Sequence, residues 1–335
     1  MAPVLYILFM YKPVLPGIFS LKMIQMKTII RFLFLVFIIS GCSKDPDITE
    51  DILGGGAIFD PSIYNPEEFL ISHTIPNPTP EQAMTPVIIA SHGYTATTFE
   101  WNEFRQYADE HGGVFVSQVL LGGHGGNYED FRNSSWRDWQ LTIILEYDRL
   151  VQAGFQNIHL LGSSTSGALF LELLSGAHFN GKPAPGQVLL IDPIVIPSNK
   201  SLSMIHIFGP MLGYLEVEQS EAEDKVYFRF RPEETLRELQ NLINIVRKDL
   251  EKGFVLPQET SLKVYKSIKD PTADPVSTVL IKNGLKTFSG NSIEVEMINS
   301  DFHVYTRLEL RPHTAADKQN QIETFNDILE RVLNN

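Results

Sequence analysis

Apolar, β-rich runs recur along the chain, and most are followed by a stretch whose apolar positions fall at helical spacing. Residues 86–90 (Pro-Val-Ile-Ile-Ala) and 187–191 (Gln-Val-Leu-Leu-Ile) carry almost no polar side chain and read as strands buried on both faces. Residues 114–120, 157–161 and 262–268 read as further strands, while residues 293–298 alternate apolar with acidic, as an outer strand does. Between the strands the helical period takes over. Beyond Pro232, a residue suited to a helix N-terminus, Leu236, Leu239, Ile243, Val246 and Leu250 share one face. A last helix lines up Ile322, Phe325, Ile328, Leu329 and Val332. Strands alternating with helices predict an α/β domain built on a mostly parallel sheet.

The strand at 157–161 runs into Gly162-Ser163-Ser164-Thr165-Ser166-Gly167, and an apolar run leaves at helical spacing. A strand, a tight turn of small residues and a helix form the arrangement that presents a nucleophilic serine. The backbone at such a serine is strained, and the residues two positions to either side press together, so both must be small. Centring the turn on Ser164 puts Gly162 before it and Ser166 after it. Centring on Ser163 would put the bulky Leu161 in a small position, and Thr165 is β-branched. Ser166 lies two residues into the helix, away from the strand end. Ser164 is therefore the candidate nucleophile. Ser166 stands where glycine is usual. Its hydroxymethyl group is expected to crowd the turn, so Ser166→Gly is expected to leave activity equal or higher.

Composition bounds the rest. The chain has 335 residues, 43% of them hydrophobic and 20% charged, which is ample apolar material for a large core. A net charge of −13 argues against a nucleic-acid partner, because phosphate binding needs a basic surface. The first 41 residues differ from the remainder: they contain Lys12, Lys22, Lys27 and Arg31 and no acidic residue. From Met26 the chain reads Met-Lys-Thr-Ile-Ile-Arg, then an apolar run over 32–39, then Ser40-Gly41-Cys42. A basic segment, a short apolar segment and a small-residue cleavage site make residues 26–41 a secretory signal peptide. The run is too short for a membrane span, which needs about 20 residues. Residues 1–25, with Pro3, Pro13 and Pro16, lie upstream of that signal and read as untranslated, with initiation at Met23 or Met26. Ile39-Ser40-Gly41-Cys42 resembles the lipobox of bacterial lipoproteins. That resemblance implies a lipid on Cys42 and a protein anchored in a bacterial cell envelope. Ser43 after the cysteine resembles lipoproteins destined for the outer membrane. Cys42 is the single cysteine, so no intramolecular disulfide can form. Residues 42–56, acidic and glycine-rich, read as a flexible tether, with the folded domain expected over 57–335.

Two more loops follow predicted strands: Ser91-His92-Gly93-Tyr94, and Gly122-Gly123-His124-Gly125 ahead of Ser135-Trp136-Arg137-Asp138-Trp139. Together with the Ser164 turn these motifs resemble the α/β-hydrolases, and by pattern bacterial carboxylesterases and monoacylglycerol lipases, over roughly residues 85–333. The resemblance implies an α/β-hydrolase fold and a serine esterase acting on a small-molecule or lipid ester, with no cofactor and no metal. It implies a triad in the order Ser164, Asp270, His303, the last two each following a predicted strand. It also implies that the backbone N–H groups of Tyr94 and Thr165 hold the oxyanion. Asp274, Asp301 and Asp192 are rival acids, Asp274 reading better as a helix cap ahead of Pro275. His92 and His124 read as loop-packing residues, because the catalytic histidine of such enzymes comes much later. Residues 194–262 fall where these enzymes usually carry an insertion and read as a small lid. No His-Glu-x-x-His, cysteine pair or dinucleotide fingerprint points to other chemistry. Amides, thioesters and peptides stay open as substrates, since all pass through similar tetrahedral species. A binding lipoprotein that kept the scaffold without the chemistry is the alternative of another class, and Ser166 is the residue that speaks for it.

Overall fold

The computed structural model describes residues 45–55 and 77–334; the expected signal region, Cys42 and the expected domain start at 57 lie outside them. Every strand expected from the apolar runs is present. In chain order β1 is Val87–Ser91, β2 Phe115–Val119, β3 Ile158–Ser163 and β4 Gln187–Ile191. There follow a short hairpin of β5 (Tyr214–Glu216) and β6 (Phe230–Pro232), then β7 (Phe254–Val255), β8 (Ser261–Ser267), β9 (Leu285–Lys286) and β10 (Glu294–Ile298). Six of them form one parallel sheet in the order β10-β8-β4-β3-β1-β2. The alternating strand at 294–298 sits at the sheet edge, as its pattern requires.

The helices are α1 (Pro80–Met84), α2 (Asn102–His111), α3 (Tyr128–Arg132), α4 (Trp136–Ala153) and α5 (Thr165–Ser175). They continue with α6 (Ile205–Leu212), α7 (Glu233–Lys252), α8 (Val276–Gly284) and α9 (Ala315–Leu333). Successive strand residues point to opposite faces, and the core divides accordingly. Val87, Ile89, Leu160 and Leu190 pack with residues of α4, α5, α7 and α8. Ile88, Ala90, Leu161 and Leu189 pack with α2 and α9. Ser135 and Thr314 open α4 and α9 with reciprocal capping boxes to Asp138 and Asp317, which fixes where these long helices begin. No described helix is long and apolar enough to cross a membrane.

Two expected boundaries change. Residues 45–55, read as part of a tether, pack against the domain. Ile52 and Leu53 are buried among Tyr128, Phe131, Phe228 and Phe230. The Leu53 N–H donates to the Asp224 carbonyl at 2.7 Å, and Asp45 meets Arg132 at 2.9 Å. Acidic residues and glycines suggested a solvated linker, but two aliphatic side chains facing an aromatic cleft outweigh that composition. The second change concerns the insertion at 194–262. Its long helix, α7, buries Leu239, Leu242, Ile243, Val246 and Leu250 in the main core. It is a structural wall, so only the part before it covers the site.

Candidate active site

The parallel register brings the functional loops to one sheet edge. Ser91 lies opposite Gly162, Ser163 opposite Ile191, and Ser267 opposite Ile298. The loops leaving β1, β3, β4, β8 and β10 therefore emerge side by side at the carboxyl ends of the strands, where open α/β sheets bind ligands. Ser164 follows β3 directly and precedes α5. Its backbone is held at φ 48°, ψ −109°, a strained conformation for a residue with a side chain. The Ser164 N–H donates to the Ile191 carbonyl at 2.9 Å, and its own carbonyl accepts from the Ile194 N–H at 3.1 Å. The turn tolerates little bulk. A Cβ on Gly162 would stand 2.6 Å from the Phe170 ring, and one on Gly93 would stand 3.1 Å from the Ser164 Cβ.

Ser166 reverses the expectation placed on it. It is fully buried, but its hydroxyl donates to the His92 carbonyl at 2.5 Å and accepts from the Ser91 hydroxyl at 2.7 Å. The extra group thus ties α5 to the end of β1, next to Tyr94. Ser166→Gly would leave those two buried groups without this partner and add a helical glycine. We expect it to cost roughly 2 kcal/mol of stability and to lower ester turnover, measured by thermal denaturation and initial rates. Equal or higher activity with unchanged stability would show that this tie is idle.

The side chains of Ser164, His303 and Asp270 form a continuous relay. The Ser164 hydroxyl lies 2.8 Å from His303 Nε2, and His303 Nδ1 lies 2.8 Å from Asp270 Oδ2. The other carboxylate oxygen of Asp270 accepts the N–H groups of Thr272 and Ala273 at 2.8 and 2.9 Å. With Asp270 ionised, Nδ1 carries the proton and Nε2 is free to accept from serine. Arg311 donates to the His303 carbonyl at 2.9 Å, fixing the loop that carries the imidazole. Of the rival acids, Asp274 accepts the Val276 N–H at 2.9 Å at the start of α8, and Asp301 is exposed.

Asp192 was a minor rival, and it sits behind the relay. Lys266, wholly buried within β8, donates to Asp192 at 3.0 Å and also to the Asp270 carboxylate. Asp192 further accepts the N–H and hydroxyl of Ser267 at 2.7 and 3.0 Å. Burial raises the Asp270 pKa, but the His303 hydrogen bond, the imidazole and Lys266 outweigh it and bring the carboxyl down to about 2. Burial pushes Asp192 the other way, above the usual carboxylate range, with Lys266 opposing. Donor atoms of Asp192, Asp270 and His303 all lie within 4.8 Å of one another, a spacing that could hold a metal ion. The ammonium of Lys266 already bridges the two carboxylates, so the cluster carries its own cation. The one signal for Lys266 in the chain is a lysine within the strand at 262–268, four residues before an aspartate.

The residues expected to supply the oxyanion donors, Tyr94 and Thr165, line one cavity with Ser164. Neither the Tyr94 N–H nor the Thr165 N–H meets a backbone acceptor among the described residues. Glu100, buried on the loop after β1, accepts the Gly93 N–H at 2.8 Å and the Ser163 hydroxyl. It holds the residue before each donor segment, and no sequence signal marked it. His92 and His124 are packing residues. His92 accepts the Leu121 N–H at 3.1 Å, and burial depresses its pKa to about 4. His124 sits among the rings of His92, Phe131 and Trp139, and burial holds it neutral.

A cavity of about 330 Å³ opens from Ser164, Thr165, Tyr94 and His303. Leu202, Ile205, Leu215 and Arg231, from the part of the insertion before α7, line it together with Leu236 and Leu239 of α7. Tyr94 joins floor and wall, its hydroxyl 2.6 Å from that of Thr235.

No protein-family model matches the sequence, and no curated protein matches it. Solved structures do resemble it. One comes from work on LipS and LipT, two metagenome-derived lipolytic enzymes; it aligns with a TM-score of 0.60 at 16% identity, over 75% of this chain and 95% of that one. A monoacylglycerol lipase of Paleococcus ferrophilus aligns at 0.58 and 13% identity, over 75% of this chain and 96% of its own. A soluble variant of the monoglyceride lipase of Saccharomyces cerevisiae, in complex with a substrate analogue, aligns at 0.57 and 9%, over 74% and 86%. The six-stranded parallel sheet, its flanking helices and these likenesses give one conclusion: the chain has the α/β-hydrolase fold.

Proposed function

We propose that the protein is a serine hydrolase of carboxylic esters, anchored by lipid in a bacterial envelope. The observation that carries the catalytic part is the Ser164–His303–Asp270 relay, with both contacts at 2.8 Å and the serine on a strained turn beside a cavity. Ser164 Oγ attacks the ester carbonyl as His303 Nε2 takes its proton. Asp270 holds the imidazole in the required tautomer and stabilises the imidazolium. The Tyr94 and Thr165 N–H groups receive the negative charge that develops on oxygen. Each such donor is worth about 3 kcal/mol in the transition state. His303 then gives the proton to the leaving alcohol, and water repeats the sequence on the acyl-enzyme to release the acid. Structural neighbours named as lipolytic enzymes and monoacylglycerol lipases support an ester as the substrate. Labelling of the purified protein by a fluorophosphonate, together with turnover of p-nitrophenyl esters, tests the reading; inertness to both would leave a binding protein on a hydrolase scaffold.

The anchor rests on the sequence Ile39-Ser40-Gly41-Cys42. The mature protein is expected to begin at Cys42 with a diacyl group and an N-acyl chain, more than the single chain whose binding is marginal. Mass spectrometry of the N-terminus and membrane fractionation of Cys42→Ser check it. A mature N-terminus at any other residue would remove the anchor.

A further inference from the structure

The cavity beside Ser164 is apolar on most of its wall, yet Arg231 faces into it from β6, opposite Leu215. Neighbouring arginines are matched: Arg229 holds Asp224, Arg132 holds Glu234 at 3.0 Å, and Arg237 holds Glu233 at 2.8 Å. Arg231 has no such carboxylate among the described residues, and its Nε is buried without a hydrogen-bond partner. Burial draws its pKa below the usual guanidinium value, with only the Tyr94 hydroxyl opposing. Arg231 is partly buried, so a guanidinium with a buried, unsatisfied Nε and no carboxylate partner is costly, and its planar fork of donors suits a carboxylate taken two-handed. The chain is otherwise strongly acidic, so an anion gains nothing from the surface at large. Arg231 lines the same cavity as Ser164 and His303, and its Cζ lies 6.0 Å from the ring of Tyr94, another lining residue.

The geometry points to an anionic ester as the substrate, one whose apolar stem ends in a carboxylate, with its ester carbonyl at Ser164 and its carboxylate on Arg231. This rests on the hydrolase reading and narrows its substrate class. Leu215, Leu236 and Leu239 enclose the stem. Water is the co-reactant: the acyl C–O bond breaks, the acyl carbon gains hydroxyl, and the alcohol oxygen gains the proton. The carboxylate on Arg231 is unchanged.

The test compares matched esters with the intact protein. Mono-p-nitrophenyl hexanedioate is set against p-nitrophenyl hexanoate, and 6-acetoxyhexanoate against hexyl acetate, so the charge is carried on the acyl side or the alcohol side. The charged member of at least one pair is expected to show kcat/KM higher by about tenfold or more. Arg231→Met is expected to bring that ratio to one or below, and Arg231→Lys to leave part of it. Hexanedioate is expected to bind the unmodified protein in calorimetry and to lose that binding in Arg231→Met. This readout needs no turnover, and it stands even where an Arg231 variant fails to fold, because unmodified protein alone must bind. Equal or better turnover of both neutral esters, or no hexanedioate binding, would overturn the proposal and leave the hydrolase reading intact. Failure of all four esters and of fluorophosphonate labelling would instead sink the hydrolase reading.

Discussion

Ser164→Ala is expected to abolish fluorophosphonate labelling and to lower ester turnover by on the order of 10⁴-fold or more. The size follows from what the hydroxyl does. Without Oγ no acyl-enzyme forms, and the remaining donors can only polarise a carbonyl for attack by bulk water. The fold should survive, because the substitution removes one atom and leaves the turn's backbone bonds to Ile191 and Ile194 in place. The neighbouring serine hydroxyls cannot substitute. Ser163 is committed to Glu100, and Ser166 to His92 and Ser91. Labelling retained in Ser164→Ala, with circular dichroism unchanged, would remove the serine from the reaction and favour the binding-protein alternative.

Asp270→Asn should lower kcat by about 10⁴-fold. An asparagine amide can offer N–H to His303 Nδ1, which moves the imidazole proton to Nε2 and leaves no acceptor facing Ser164. Asp274→Asn, at the start of α8, should change turnover little, because its carboxylate serves the Val276 N–H. If the two variants behave the other way round, the acid is misassigned. The same substitution has a signature in acid. The Asp270 carboxyl is held at about 2, below its ordinary value of 3.8, burial notwithstanding. A carboxyl depressed on folding contributes stability that is fully present above about pH 4 and is lost as pH falls toward 2. Thermal midpoints of the unmodified protein should therefore fall more steeply across that window than those of Asp270→Asn.

Much of this was legible in the chain because the governing physics is local. A strand buried on both faces must be apolar throughout, so residues 86–90 and 187–191 announced themselves. A strained turn needs small residues, so Gly162-Ser163-Ser164 marked its position. The order of Ser164, Asp270 and His303 came from the resemblance to α/β-hydrolases, helped by the position of each in a loop that follows a strand of the sheet. What stayed hidden depends on partners distant in sequence. Ser166 reads as a steric fault in the sequence because its hydrogen-bond partners, Ser91 and His92, lie more than seventy residues away. Lys266 carried no reading of its own within the strand at 262–268, since only strand order decides that both its neighbours are carboxylates. Ile52 and Leu53 were lost in an acidic, glycine-rich context, because composition averages over the two side chains that find a cleft.

The lysine between two acids also governs how this protein can change over generations. Removing one member of a buried ion pair costs about 3–5 kcal/mol, while replacing a whole buried set by apolar groups is often neutral. A lineage that lost Lys266 alone would leave Asp192 and Asp270 facing each other across a dry gap. One that lost Asp192 alone would hand all of the ammonium's charge to the acid that orients His303. Either single step crosses a valley, whereas losing Lys266 and Asp192 together leaves an Asp270–His303 pair behind Ser164, provided the Ser267 and Tyr305 N–H groups find other acceptors. The lysine and its second carboxylate are therefore expected to be kept or lost together.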